Sequence, residues 1–249
     1  MKIAVAGGTG TLGRHVVEIA RERGHEVVVL SRASGVDLVA GTGLAAALAG
    51  VEVVVDVSNV STLKAAESEV FFTTVTRNLL AAERDAGVGH HVALSIVGVD
   101  RAPYAYYAGK VAQERAVESG DVPWTILRAT QFHEFAGQML ENLTVAGIHL
   151  APRARTQPIA AHEVAQRLVE LAEGAPAGRV ADLAGPREEQ LDDMVRRLVR
   201  ARALRGPVIA VSLPGKQMAA MRRGEALPGR DAQLGRQTYE EWLGTQVAA

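Results

Sequence analysis

Tyr106 and Lys110 stand four residues apart, a spacing that puts a phenol and an ammonium on one face of a helix. With four tyrosines and four lysines in 249 residues, chance would set such a pair in roughly one chain in sixteen. A phenol, with an ordinary pKa near 10, is a poor proton donor at neutrality. A neighbouring ammonium lowers that value and a serine hydroxyl can hold a substrate oxygen, so Tyr106, Lys110 and Ser95 together could protonate a carbonyl that receives a hydride. The competing reading is structural: the tyrosines of the YAYY run pack, and Lys110 pairs with Glu114 on the helix surface.

A hydride donor needs a seat, and the stretch KIAVAGGTGTLG from Lys2 to Gly13 has the form of one. A short apolar strand runs into Gly7, Gly8, Gly10 and Gly13, and Leu12, Val16, Ile19 and Ala20 then recur at helical spacing until Gly24. Glycines permit a tight strand-to-helix turn and let a pyrophosphate approach the main chain, while the helix N-terminus offers free N–H groups and its dipole. Gly8, Gly10 and Gly13 satisfy G-x-G-x-x-G; Gly7, Gly10 and Gly13 satisfy the wider G-x-x-G-x-x-G. An ordinary glycine turn is the alternative, and the strand-helix-strand order argues for a dinucleotide cradle. About 20 residues on, where a carboxylate would select NAD, the chain has Ser31 and Arg32. A hydroxyl and a guanidinium suit a 2′-phosphate, with Arg14 as a second positive charge, so NADP(H) is expected ahead of NAD(H). Arg32 as a solvated loop arginine is the competing reading.

The elements that must position these groups alternate. After Val27 to Leu30 come apolar runs at Val36 to Val39, Val51 to Val57, His91 to Val97 and Trp124 to Ala129. The helix before His91 shows Phe72, Val75, Leu79 and Ala82 on one face and ends at Gly87. Continuous apolar runs separated by helices predict a doubly wound parallel sheet covered on both faces, whose carboxyl edge, carrying Ser95 and the helix after it, faces the cofactor. Beyond Thr130 the expected elements are an amphipathic stretch Phe132 to Leu143, a strand near Gln157 to Ala160, a helix His162 to Leu171, a strand Val180 to Ala184, a helix Leu191 to Ala203, a strand Val208 to Leu213, a Met-bearing segment and a final helix with Trp242. In the Met-bearing segment, Met218 and Met221 fall three apart between Gly215 and Gly224: either a lid over a hydrophobic substrate facing Phe132, Phe135 and Met139, or ordinary core at helical spacing.

Composition bounds the rest. The chain is 48% hydrophobic with a formal net charge of -1, no long run of one sign and no cysteine. It can bury a large core, and nucleic acid and anionic membrane surfaces are not expected partners. No apolar run reaches the roughly 18 residues that span a bilayer, and the N-terminus reads as a core strand, so a cytoplasmic protein is expected. Disulfides and cysteine-ligated zinc are excluded, and no metal site is expected, because His25, His90, His91 and His162 lack ligand spacing.

With these residues in view, the chain resembles the short-chain dehydrogenase/reductase superfamily, specifically its atypical NmrA-like, NAD(P)H-binding branch. The match is carried by GGTGTLG at Gly7 to Gly13, by Ser31 and Arg32, by VDVSN at Val55 to Asn59, by LSIVG at Leu94 to Gly98, by YYAGK at Tyr106 to Lys110 and by LRATQFHEF at Leu127 to Phe135. The resemblance implies a Rossmann-type unit over residues 1–249, with a dinucleotide-binding core at 1–130 and a smaller substrate-binding or capping portion at 131–249. It implies cofactor contacts from Gly7, Thr9, Gly10, Thr11, Leu12 and Gly13, the adenine beside Asp37 and Leu38, the cofactor's path along Val57, Ser58 and Asn59, and Lys110 on the nicotinamide ribose. It further implies that Gln131, Phe132 and His133 border a small-molecule substrate. Ser95 departs from the pattern: Ile96 follows it where a second serine is usual, and only 11 residues separate it from Tyr106. The branch holds both reductases and proteins that bind the dinucleotide without catalysis. The expectation is therefore an NAD(P)H-dependent oxidoreductase reducing a carbonyl, enone or quinone-like compound with Tyr106 as proton donor; the alternative is a non-catalytic NADP(H)-binding redox sensor.

Overall fold

The computed structural model describes residues 1–247. Its first half alternates strand and helix: β1 (Lys2–Ala6), α1 (Thr11–Glu22), β2 (Glu26–Leu30), α2 (Leu44–Ala47), β3 (Val53–Asp56), α3 (Ala65–Ala86), β4 (His90–Ile96), α4 (Tyr106–Glu118) and β5 (Trp124–Ala129). The second half adds α5 (Phe135–Asn142), β6 (Thr144–Val145), β7 (Ile148–Pro152), β8 (Arg155–Thr156), α6 (Ala161–Glu173), β9 (Gly178–Arg179), β10 (Leu183–Ala184), β11 (Glu189–Gln190), α7 (Leu191–Ala201), β12 (Val208–Val211), α8 (Lys216–Arg222), β13 (Gln233–Leu234) and α9 (Tyr239–Val247).

The main sheet runs β2-β1-β3-β4-β5-β10-β13, with β9 also beside β5, and every pairing in it is parallel. It is a Rossmann-type, doubly wound α/β sheet. Alternation along the strands divides the core in two. Ile3, Val5, Val55, Val92, Leu127 and Ala129 meet Val16 of α1 and Leu168 of α6 on one face. Ala4, Ala6 and Val54 meet Val75 and Leu79 of α3 on the other, where Ala93 and Ile126 meet Val117 of α4.

The second half divides between two tasks. Its α6, β9, β10 and β13 complete the main sheet and its core. Its α5, β7, α7, α8 and α9 enclose a separate core around Ala136, Leu140, Met194, Leu198, Tyr239 and Trp242, beside a three-stranded sheet β12-β7-β6. The portion expected at 131–249 is thus interleaved with the first half, and its last two residues lie outside the described ones.

Three expected strands come out differently. Val36 to Val39 forms a turn, not a strand. Gly35 and Gly41 there have φ of +80° and +73°, Asp37 Oδ1 accepts the Val39 and Ala40 amides at 2.9 and 3.0 Å, and only one isolated bridge, Asp37 to Thr42, remains. The strand near Gln157 begins earlier, as β8, and Pro158 leaves a single bridge from Ile159 to Phe132. Val180 to Ala184 is broken between β9 and β10, both aligned on β5.

One buried ion pair ties α3 to β4. His91 Nδ1 lies 2.8 and 3.0 Å from the two Glu83 carboxylate oxygens, and both side chains are wholly buried. Burial alone would lower the imidazole pKa, but the carboxylate beside it outweighs burial and raises it. Removing one partner strands the other, so Glu83→Leu should cost about 3–5 kcal/mol in urea unfolding at neutral pH, and Glu83→Leu with His91→Leu should recover part of that loss.

Candidate active site

Because the main-sheet strands are parallel, their carboxyl ends form one edge of the sheet. The β1–α1 turn leaves that edge at Gly7, whose φ is +77°. A Cβ on Gly7 would stand 2.7 Å from the Val57 carbonyl oxygen, and one on Gly13 only 2.1 Å from the Gly7 carbonyl oxygen. The turn closes with Gly10 N–H donating to the Gly7 carbonyl at 3.0 Å, and the first helical bond is Arg14 N–H to the Gly10 carbonyl, also 3.0 Å. The amides of Thr11, Leu12 and Gly13 precede that bond. No side chain caps them and the first turn holds no acid, while Thr9, Gly10 and Thr11 are exposed. An uncapped helix N-terminus behind side-chain-free backbone fits a pyrophosphate. Leu12 points inward instead, into the first core.

The 57–59 loop at the end of β3 lies against this turn. Asp56 Oδ1 accepts the Ser58 amide at 2.9 Å, and Ser58 Oγ is buried without a partner. Asn59, exposed, accepts the Tyr106 hydroxyl on its Oδ1 at 2.6 Å. Tyr106 opens α4 directly after Ala105, a non-glycine residue at φ +49°. Two contacts with α3 hold it there: Ser68 Oγ donates to the Tyr106 carbonyl at 2.8 Å, and Phe72 packs edge-on against its ring at 5.6 Å. Gly109 permits this approach, since a Cβ there would stand 2.1 Å from Ser68 Oγ. Burial raises the Tyr106 phenol well above its ordinary pKa, with Tyr107 and Asp56 adding, so it stays protonated at neutral pH.

Lys110 is buried one turn on, but its ammonium goes elsewhere. Its Nζ donates to the Leu94 carbonyl at 2.6 Å and to Gln113 Oε1, and lies 4.5 Å from the centre of the Phe72 ring. Burial pulls its pKa down to about 8, against Asp56 and Glu114, which act to raise it. Glu114 holds no lysine: it takes Arg128 through both oxygens at 2.8 and 2.6 Å, and Arg179 at 3.0 Å. Ser95 Oγ is buried with no hydrogen-bond partner, so Tyr106, Lys110 and Ser95 share one region without being bonded to one another.

Of the groups expected at the adenosine end, Ser31 and Ser34 cap each other across a short 3-10 turn. Arg32 is exposed and makes no ion pair among the described residues, as is Arg14. Asp37 spends its carboxylate on its own turn, while the Leu38 and Val39 carbonyls accept the Asn78 amide at 3.0 and 2.9 Å.

The four expected substrate residues are not gathered in one pocket. Gln131 donates to the Tyr107 hydroxyl at 2.7 Å and accepts from Thr156 Oγ1 at 2.8 Å. Phe132 packs on the first core. His133, expected to border a substrate, is wholly buried against Tyr239 and Trp242, both 5.7 Å away, and its Nε2 is 3.2 Å from the Gln237 carbonyl. Burial lowers its pKa to about 4, leaving it neutral. Met221 is buried in the second core and Met218 packs against it, which is the core alternative rather than the lid. Arg101 fastens the end of that segment by donating to the Glu225 and Leu227 carbonyls at 2.9 and 2.6 Å. His25, His90 and His162 hold structural contacts with Glu173, Thr125 and Gln166.

Two site residues went unassigned from the sequence, Asp56 and Gln113. A lone carboxylate closing an apolar strand, and an amide three residues past Lys110, were the signals present.

A doubly wound parallel sheet with a glycine cradle at its carboxyl edge defines a dinucleotide-binding protein. A family profile described as NAD(P)H-binding matches residues 7–174, more than half of the chain, and the protein belongs to that family. This agrees with the atypical short-chain dehydrogenase/reductase resemblance. No curated protein sequence matches the chain. Among solved structures, it is similar to triphenylmethane reductase from Citrobacter sp. complexed with NADP(H), at 20% identity and a TM-score of 0.74, covering 99% of this chain and 100% of that one. It is similar also to an NADPH-dependent quinone oxidoreductase (QOR2) from Escherichia coli, at 18% identity and a TM-score of 0.71, covering 98% and 99%. MoeE5 in complex with UDP-glucose and NAD matches at 16% identity and a TM-score of 0.75, covering 100% and 98%. No helix among the described residues is long and apolar enough to cross a membrane.

Gly7→Ala tests the cradle. The added methyl meets the Val57 carbonyl at a left-handed backbone position, so the turn must shift from the geometry that fits a pyrophosphate, and dinucleotide affinity, read with NADPH and with NADH, should fall about tenfold or more by titration calorimetry while the chain stays folded by circular dichroism.

Proposed function

We propose that the protein is an NAD(P)H-dependent oxidoreductase that reduces a small carbonyl, enone or quinone-like compound, with Tyr106 as proton donor. The observation that carries this reading is the Tyr106 hydroxyl, held at 2.6 Å on Asn59 beside the loop that backs the glycine cradle. A bound dihydronicotinamide supplies the hydride. A substrate oxygen taking the place of Asn59 Oδ1 receives the phenol's hydrogen bond and then its proton. Burial keeps Tyr106 protonated but raises its pKa, against the lowering expected of a neighbouring ammonium, so the phenol yields its proton only to an oxyanion that is the stronger base. Ser95 Oγ, buried and unpartnered, offers a second hydrogen bond to the same oxygen. Ile96, Val99 and Tyr107 gather nearby and favour an apolar substrate body. The names of the Citrobacter and E. coli proteins, a triphenylmethane reductase and a quinone oxidoreductase, support reduction of such compounds on this fold.

NADP(H) is the preferred form in this reading, since exposed Arg32 and Arg14 are free to meet a 2′-phosphate and no carboxylate claims the adenosine ribose. Arg32→Ala should weaken NADPH by about 1.5–3 kcal/mol and leave NADH nearly unchanged by calorimetry. Equal losses for both would remove the preference.

A second reading, a non-catalytic NADP(H) sensor, draws on one observation: the Lys110 ammonium is turned to Leu94 and Gln113, away from the Tyr106 hydroxyl. Steady NADPH oxidation against a panel of quinones and ketones separates the two, since a sensor binds and does not turn over. On an accepted substrate, Tyr106→Phe should cut kcat by roughly 10² to 10⁴ with little change in NADPH affinity. Near-normal turnover in that variant rules Tyr106 out as the donor.

A further inference from the structure

Lys110 is 3% exposed, and among the described residues no carboxylate lies within ion-pair distance of it. A buried ammonium without compensation is costly, so something must offset its charge. Gln113, one turn further along α4, accepts from Nζ on its Oε1 and donates through Nε2 to Asp56 Oδ2 at 2.8 Å. The other Asp56 oxygen holds the Ser58 amide at 2.9 Å. Both bridging residues are buried, Gln113 to 1% and Asp56 to 0% exposure. The amide has one workable orientation, because its oxygen must face the ammonium and its nitrogen the carboxylate. A Coulomb partner that would otherwise sit beside Lys110 is thus placed one amide away, on the strand that leads into the 57–59 loop.

We propose that Asp56 and Gln113 are positioning residues that aim the Lys110 ammonium at the dinucleotide ribose and fasten it to the 57–59 loop. An ammonium has three donors. Leu94 and Gln113 take two, and the third, which among the described residues has only the Phe72 ring beside it, is the one a ligand oxygen would take. A direct Lys–Asp pair would hold the charge more tightly and leave less of it for a ligand; the amide holds the position and leaves the charge unspent. The inference rests on the reading that Lys110 meets a bound dinucleotide, and it is independent of whether the protein turns over.

The charged groups around Lys110 are Asp56 from β3 and, on its own helix, Glu114, which is already engaged by Arg128 and Arg179; α3 contributes the Phe72 ring and β4 the Leu94 carbonyl. Loss of the Lys110 proton should therefore weaken dinucleotide binding as pH rises through about 8. Without the Gln113 bridge the ammonium is less stabilised, and that fall should move to lower pH.

The test is calorimetric titration of NADPH and NADH into the full chain, at several pH values, for the wild type, Lys110→Met, Gln113→Leu and the double variant. Gln113→Leu should lower affinity roughly tenfold, as expected for a hydrogen bond to a charged group, and should add almost nothing once Lys110 is Met. Gln113→Met, which keeps the side chain's length, takes its place if Gln113→Leu does not fold. The same loss in both backgrounds, with an unmoved pH profile, would show Gln113 to be core packing and overturn the proposal. If Lys110→Met binds like the wild type, the ribose contact and this inference fall together. If the wild type binds neither dinucleotide, the cofactor reading itself fails.

Discussion

A side chain at position 7 would collide with the Val57 carbonyl and the Ser58 backbone, and the absence of one lets β1 and β3 leave the sheet side by side. Parallel pairing of Ala6 with Asp56 brings the two turns to the same level. From that contact the rest of the edge follows. The β1 turn becomes a backbone cradle at the start of α1. The β3 turn carries Asn59 to the Tyr106 hydroxyl, and Asp56, at the root of the same turn, reaches Gln113 and through it Lys110. Two residues of α4 with different tasks are thereby referenced to one glycine contact. The close packing of α3 on α4 through Ser68 and Gly109 keeps that helix from sliding.

The face of the sheet under α3 and α4 carries the buried carboxylates that bind across elements. Asp56, Glu83 with His91, and Glu114 with Arg128 all lie there, whereas on the face under α1 and α6 the buried polar pair His90 and Thr125 sits at the edge of an aliphatic cluster. Buried ion pairs bring little net stability, because desolvation offsets most of the Coulomb gain. Their distribution therefore follows position rather than strength. Glu114 and Arg128 lock α4 onto β5, with Asp100 and Arg179 joining from the β4–α4 loop and β9. Asp56 and Gln113 lock the same helix onto β3. A helix held at both its neighbouring strands presents Tyr106 and Lys110 with fixed geometry, which a purely apolar contact, tolerant of small slides, would not guarantee.

The parallel sheet was legible because each core strand is a continuous apolar run with a helix-length interval after it, and β5 falls on the very residues its apolar run marks, Trp124–Ala129. The cradle was legible because glycine spacing reports backbone geometry directly. What failed was local. Val36 to Val39 has strand composition, but glycines at positive φ on either side and the Asp37 carboxylate convert it to a turn. His133 follows β5 as a substrate residue would, yet its ring faces Tyr239 and Trp242, more than a hundred positions later, and no local pattern reports a contact of that range. Lys110 likewise sits where the motif puts it, while the direction of its ammonium depends on Gln113 and on Asp56 from another strand. Spacing within one helix was readable; the partner across the sheet was not.

The division of the second half between two cores bears on how such a site can change. Residues that complete the sheet, α6 and β10 among them, share the aliphatic core on which α1, the helix after the glycine turn, also packs. Residues around Met194, Leu198, Met221 and Trp242 pack with one another, and α8 reaches the site's rim through Ala220, which meets Val99, Ala102 and Tyr107. Arg101 and the tight approach of Gly98 to the Glu225 carbonyl pin that rim in place. The rim can therefore be reshaped from the second core while the glycine contact, the Asp56 relay and the helix they position stay as they are. At this rim the α4 tyrosines reach two different strand ends, Tyr106 through Asn59 after β3 and Tyr107 through Gln131 after β5.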